Sequence, residues 1–131
     1  EEAGLTVSDE LIAQGDFSFE SGASAARQLL EVSDDQKPTA IFASNDDMAA
    51  AVVSVAGQMG LEVPKTLSVC GFDDTPLARV VWPALTTVRQ PIYKMGHQAA
   101  KELVRRSDEE AEKGRILDFE IVLRDSVTDL K

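Results

Sequence analysis

The sequence predicts an α/β fold, a mostly parallel sheet with helices on both faces. Two apolar runs, Pro38-Thr-Ala-Ile-Phe-Ala-Ser-Asn-Asp46 and Ser68-Val-Cys-Gly-Phe-Asp-Asp-Thr75, each read as a short buried strand whose carboxyl end delivers amide and carboxylate side chains into a loop. Helical periodicity recurs between and beyond them, which is the alternation a parallel sheet requires. With 131 residues, 44% of them apolar, the chain is large enough to bury a core.

The elements follow in order. Glu1-Glu-Ala-Gly-Leu5 reads as the last turn of a helix closed by a glycine, so the sequence is expected to be a piece of a longer protein. Leu11 to Gln14 is a candidate short strand ahead of the Gly15-Asp16 turn. Ser18 stands where an N-cap belongs, and Gly22, Ala26, Leu29 and Leu30 recur at helical spacing to about Glu31. After the polar loop from Ser33 to Lys37, Pro38 blocks further helix and Thr39 to Ala43 forms the first clear strand. Asn45 or Asp46 then caps a helix that runs to Met59 and stops at Gly60, with acids in its first turn that suit the helix dipole. Its apolar arc, which includes Met48, Ala49, Val52, Val53, Val55 and Ala56, exceeds half the circumference, more than one sheet covers.

Gly60 to Pro64 is a connector, and Leu67 to Phe72 is the second clear strand. Thr75 to Pro83 is irregular or briefly helical and contains the apolar trio Val80, Val81 and Trp82. Leu85 to Val88 is a third strand, ended by Arg89-Gln90-Pro91, and Pro91 starts a helix to about Arg106 with Ile92, Gly96, Ala99 and Leu103 on one stripe. Ser107 to Gly114 is a charged loop, and Ile116 to Leu123 makes one or two terminal strands.

Charge and composition narrow the function. The net charge is −10, with 14 acids against 3 bases up to residue 78 and 9 against 10 afterwards. Nucleic-acid affinity rests on cations that displace counterions from phosphates, so this chain is not expected to bind DNA or RNA by itself. The single cysteine, Cys70, excludes an intrachain disulfide and a thiolate zinc centre; it alternates with apolar neighbours and is expected to pack. His97 falls on the polar side of its helix beside Lys94 and Lys101. No phosphate-cradling glycine pattern, nucleophile turn or third acid at metal-binding distance accompanies Phe72-Asp-Asp-Thr75, so no catalytic residue, metal or cofactor is expected. No apolar run reaches the roughly 18 residues needed to cross a membrane.

The ordered set Gly15-Asp-Phe-Ser18 with Glu20-Ser-Gly22, Pro38 to Asp46 with Met48-Ala49, Gly60-Leu-Glu-Val-Pro64, Leu67 to Asp74, Pro83-Ala-Leu-Thr-Thr-Val-Arg-Gln-Pro91 and Leu123-Arg-Asp-Ser126 resembles the effector-binding core of the LacI/GalR bacterial transcription regulators, itself similar to periplasmic sugar-binding proteins. Two departures stand out: Cys70 where valine is commoner, and Asp118 where proline usually opens the last strand. The resemblance implies a two-lobed core of Rossmann-like halves between which the chain crosses three times, preceded by a helix-turn-helix and hinge that this chain lacks. It implies that residues 1–88 belong to the second lobe, and that residues 89–131 supply a crossover helix and the terminal strands.

It further implies effector contacts at Phe17, Asn45, Asp73 and Gln90: an aromatic wall, two amides and a carboxylate, the groups that read the faces and hydroxyls of a sugar-like ligand. Asp74 is expected to hold the loop. A homodimer is expected through the second face of the Asp46 to Met59 helix, with Ala49 and Val53 toward the partner and Val80 and Val81 beside them. The function these features imply is a cytoplasmic sensor of a sugar or small polar metabolite that governs DNA binding allosterically. The alternatives are a periplasmic sugar-binding protein for transport and, less in keeping with the residues, a metal-dependent hydrolase.

Overall fold

Alternation of strand and helix is realised, among the described residues, in a four-stranded sheet. A computed structural model of the chain describes residues 8–33, 36–104 and 116–129. The expected helix end at Glu1 to Leu5, the loop from Ser107 to Gly114 and the last residues of the helix toward Arg106 lie outside the described residues. The elements are α1 (Phe19–Leu30), β1 (Ala40–Phe42), α2 (Asp46–Gln58), β2 (Ser68–Phe72), α3 (Leu77–Val80), β3 (Thr86–Arg89), α4 (Ile92–Val104) and β4 (Glu120–Val122). The strands lie in sequence order. β1, β2 and β3 are parallel, pairing Ile41 with Val69 and Gly71 with Thr87, and β4 runs antiparallel with Ile121 opposite Val88.

Local chemistry places the helix ends. Ser18 caps α1 by accepting the Ser21 N–H at 3.1 Å, and Asn45 caps α2 by accepting the Met48 N–H at 2.9 Å. Gly60, at φ 74°, takes the left-handed conformation that follows α2. Leu11 to Gln14 is not a strand: Ser8 caps a 3-10 turn over Asp9–Leu11, and the chain runs on irregularly to Phe17. Competition from local capping in Ser8-Asp-Glu10 decides that segment.

The core lies between α1, α2 and one face of the sheet. Leu30, Val55, Leu67, Val69 and Leu85 are fully buried there, each such side chain worth about 1.5 to 3 kcal/mol. Gly22 permits the close approach of the helices, since a Cβ on it would lie 2.7 Å from the Met48 Cα.

The broad apolar arc of α2 is satisfied within the chain, which corrects the expected dimer face. α1 covers one side, β2 another, and α3 lays buried Ala78 and half-buried Leu77 and Val81 over a third. Ala49 is 0% exposed and Val53 8%, so neither is available to a partner; Val80 (77%) and Trp82 (83%) are. Helical periodicity does not reveal this cover, because α3 is only one turn long and has no periodicity of its own. The stripe expected to bury α4 is also displaced. Ile92 and Leu103 face solvent, and Met95, Gln98, Ala99 and Glu102 instead border an open groove of about 750 Å³ floored by Phe72 and Val88.

One polar group sits inside this core. Asp46, 0% exposed, accepts the Thr75 N–H and the Thr87 hydroxyl, each at 2.6 Å. Asp46→Ala leaves the buried Thr87 hydroxyl and the part-buried Thr75 N–H without their acceptor and is expected to cost about 2 to 3 kcal/mol of stability by urea unfolding. A loss below about 0.5 kcal/mol would show that neighbouring groups replace it.

Candidate functional site

The carboxyl ends of parallel strands form the edge where an open α/β sheet gathers ligand groups. The chain brings its four candidate residues to that edge in two hydrogen-bonded pairs. In the first, Asn45 uses its oxygen to cap α2 and its Nδ2 to donate to the Phe17 carbonyl at 2.9 Å. Phe17 stands at φ 69° with 64% of its surface exposed. Asp16 holds this turn by accepting from the Ser18 N–H at 3.0 Å and the Ser18 hydroxyl at 2.6 Å. Hydrogen bonds from Ser18 first, then Ser21, draw the Asp16 carboxyl down to about 2.

The second pair joins the ends of β2 and β3. Gln90 donates its Nε2 to Asp73 Oδ1 at 2.8 Å, and the Asp73 N–H donates to the Val88 carbonyl at 2.8 Å. Asp46, next to Asn45, takes the N–H of Thr75, two residues past Asp73, and so ties the two pairs to one foundation. Gly71 leaves room for this: a Cβ there would collide with Asp46 Oδ1.

Asp74 faces inward. Its side chain is 2% exposed and accepts from Arg124 on Oδ1, and from Arg89 at 2.7 Å and Arg79 at 3.2 Å on Oδ2. Arg89 extends the network to Glu120 at 2.7 Å, and Arg124 also donates to the Leu85 carbonyl at 2.7 Å. Burial alone pushes the Asp74 carboxyl up, but hydrogen bonds from Arg124, Arg89 and Arg79 outweigh it and hold the group at about 2. Asp74 therefore holds the loop, as expected, through partners that lie 5, 15 and 50 residues away. Burial, then the nearby Asp46, pushes the half-buried Cys70 thiol up, away from reactivity.

The arrangement offers an exposed aromatic face, amide donors and a carboxylate with one oxygen free of protein partners among the described residues. Those are the groups that bind hydroxyl-bearing ligands. The 750 Å³ groove shares only Gln90 with this set and is otherwise mainly apolar, lined by side chains such as Val88, Met95 and Phe119. Among the described residues, no group of three His, Cys, Asp or Glu side chains is arranged to hold a metal ion. Sequence reasoning missed Asp46 and Thr87 as a buried pair; 41 residues separate them, and only the β2–β3 pairing brings them together.

The model of the periplasmic binding protein-like domain matches residues 1–127. The HTH-type transcriptional repressor PurR of Photobacterium profundum is 41% identical over 131 residues, which cover 98% of this chain and 39% of that protein. The structure of the transcriptional regulator CelR in complex with cellobiose superposes with a TM-score of 0.85 at 35% identity, covering 95% of this chain and 38% of that one. The lac repressor dimer, bound to operator and the anti-inducer ONPF, superposes with a TM-score of 0.77 at 32% identity, covering 88% and 40%. The chain thus spans 32% to 39% of the length of the curated relatives it matches first.

The Asp74 cluster predicts an acid response. Its folded pKa of about 2 lies below the unfolded value of about 3.9, so its stabilisation is complete above about pH 5 and is lost as pH falls toward 2. Asp16 contributes in the same window. Asp74→Asn is expected to make stability fall less steeply between about pH 4 and pH 2 in urea titrations, and adding Asp16→Asn to flatten it further. Equal slopes in wild type and Asp74→Asn would contradict the network.

Proposed function

The chain belongs to the periplasmic binding protein-like family, in the form carried by LacI/GalR transcription regulators, and from that premise we propose that it is the C-terminal part of an effector-sensing core whose ligand controls DNA binding allosterically. The observation that carries this reading is the pairing of Asn45 with Phe17 and of Gln90 with Asp73 at one sheet edge. The effector is a sugar or a small polar metabolite. The ligands bound in related structures, cellobiose for CelR and ONPF for the lac repressor, support that class.

Residues 1–88 belong to one lobe, and residues 89–131 form the crossover helix and terminal strands. The exposed apolar side chains of α4 and β4, among them Ile92, Leu103 and Ile121, support a return toward a second lobe. The effector acts by favouring one lobe arrangement over another, a population shift without chemistry, so the protein is not an enzyme. DNA contacts come from a part of the protein outside this acidic chain, in the cytoplasm. Among the described residues, no helix is long and apolar enough to cross a membrane.

The test is calorimetry on the full-length protein with a ligand chosen from a panel of mono- and disaccharides and nucleosides by thermal shift. Asp73→Ala is expected to weaken binding by about 1.5 to 3 kcal/mol while the fold persists, because a charge-assisted hydrogen bond is removed. Unchanged affinity in a folded variant would take Asp73 out of the site. The regulator acts as a homodimer, and Val80 and Trp82 offer the exposed apolar surface that the buried Ala49 and Val53 do not. Trp82→Ser is accordingly expected to weaken the dimer in analytical ultracentrifugation by about tenfold or more. A wild-type protein that stays monomeric at high concentration would refute the dimer.

A further inference from the structure

Two consecutive non-glycine residues, Asp73 at φ 104° and Asp74 at φ 55°, occupy left-handed backbone. The first lies outside the region that aspartate tolerates well, so the surroundings must impose it. The backbone anchors are the Asp73 N–H on the Val88 carbonyl at 2.8 Å and the Thr75 N–H on Asp46 at 2.6 Å. The Asp74 N–H adds only a long contact to the Thr87 hydroxyl at 3.4 Å. The strongest restraint is the Asp74 side chain, drawn inward by guanidinium groups from three separate places: α3, the end of β3 and the segment after β4.

We propose that Asp74 is a positioning residue of the effector site: its buried carboxylate, clasped by Arg79, Arg89 and Arg124, turns the strained Asp73-Asp74 pair so that the Asp73 carboxylate stands against Gln90. The role rests on the proposed effector reading for its purpose, but its geometry is independent of any ligand. Arg89 sits one residue before Gln90, so a single ion pair fixes both members of the Asp73–Gln90 contact from behind. Arg124 is only 15% exposed and Arg79 62%, which makes Arg124 the main clasp and Arg79 an auxiliary one.

The experiment is residue-resolved hydrogen exchange and side-chain amide NMR on the full-length protein without ligand, wild type against Asp74→Asn. The Asp73 amide is expected to exchange about tenfold faster in the variant than the fall in global stability measured by urea unfolding accounts for, and the Gln90 side-chain amide resonances to shift toward those of a free glutamine, while α2 amides such as Val52 and Val55 lose only the protection that this global fall accounts for. Asp74 as plain structural glue would accelerate the Asp73 amide and the α2 amides equally, by the global loss alone, and that result overturns the proposal. So does an unchanged Asp73 amide together with unchanged Gln90 resonances. If Asp74→Asn does not fold, Arg79→Ala supplies the test at the exposed end of the clasp, with the same local pattern in smaller measure expected and no local change refuting it. Failure here with Asp73→Ala still weakening ligand binding would remove Asp74 alone; success here with Asp73→Ala inert would remove the effector reading alone.

Discussion

The fold turns on a carboxyl group buried at the start of α2. Asp46 is inaccessible to water and has no cation beside it among the described residues, an arrangement that would be costly if its oxygens lacked donors. Each oxygen receives a 2.6 Å hydrogen bond, one from the Thr75 backbone and one from the Thr87 hydroxyl, and the amino end of α2 adds a favourable field. A group that tolerates so few alternatives specifies its partners. It fixes α2 over β2, closes β3 against β2, and requires glycine at position 71.

The site inherits its rigidity from that bond. Asn45 precedes Asp46 and carries Phe17; Thr75 follows Asp73 and Asp74, and its N–H ends on Asp46. Loop residues with unfavourable backbone angles are thereby held on a buried frame, the arrangement in which binding groups need little reorganisation when a ligand arrives. The tail adds a second frame. Ser126, fully buried, accepts the Thr86 N–H at 2.8 Å and donates to the Val69 carbonyl at 2.5 Å, sewing the last described segment between β2 and β3.

Much of this was legible in the sequence, for identifiable reasons. Strong local signals gave the cap at Ser18, the cap of α2 at Asn45 or Asp46, the stop at Gly60, the strand ending at Phe72 and, to within one residue, the strand ending at Arg89. The candidate ligand groups were legible because they follow apolar runs directly. Long-range polar pairs were not: Asp46 reads as a helix-cap residue until β3 brings Thr87 beneath it, and Asp74 reveals its three arginines only when α3, β3 and the tail converge. The apolar arc of α2 misled in the opposite direction. Excess apolar surface signals that something covers a helix without saying whether that cover is another chain or a four-residue helix such as α3.

Gln90 marks the boundary between two regimes. On one side the sheet, α1 and α2 enclose a core of fully buried side chains; on the other, α4 has no buried residue and stands off across an open groove. Arg89 and Gln90 tie the end of β3 to Asp74 and Asp73 through an ion pair and a side-chain amide hydrogen bond, and two residues later α4 begins. A ligand that takes the Asp73 oxygen or the Gln90 amide competes with the bond between them, at the point where the well-packed body hands the chain to α4. A ligand shifts a conformational equilibrium only by binding one state better than the other, and a contact shared between ligand and the segment leading into α4 is a direct way to supply that difference. Sensing then needs no long relay within this chain: under the proposed function, the residues that recognise the effector and those that set the course of α4 are neighbours at the end of one strand.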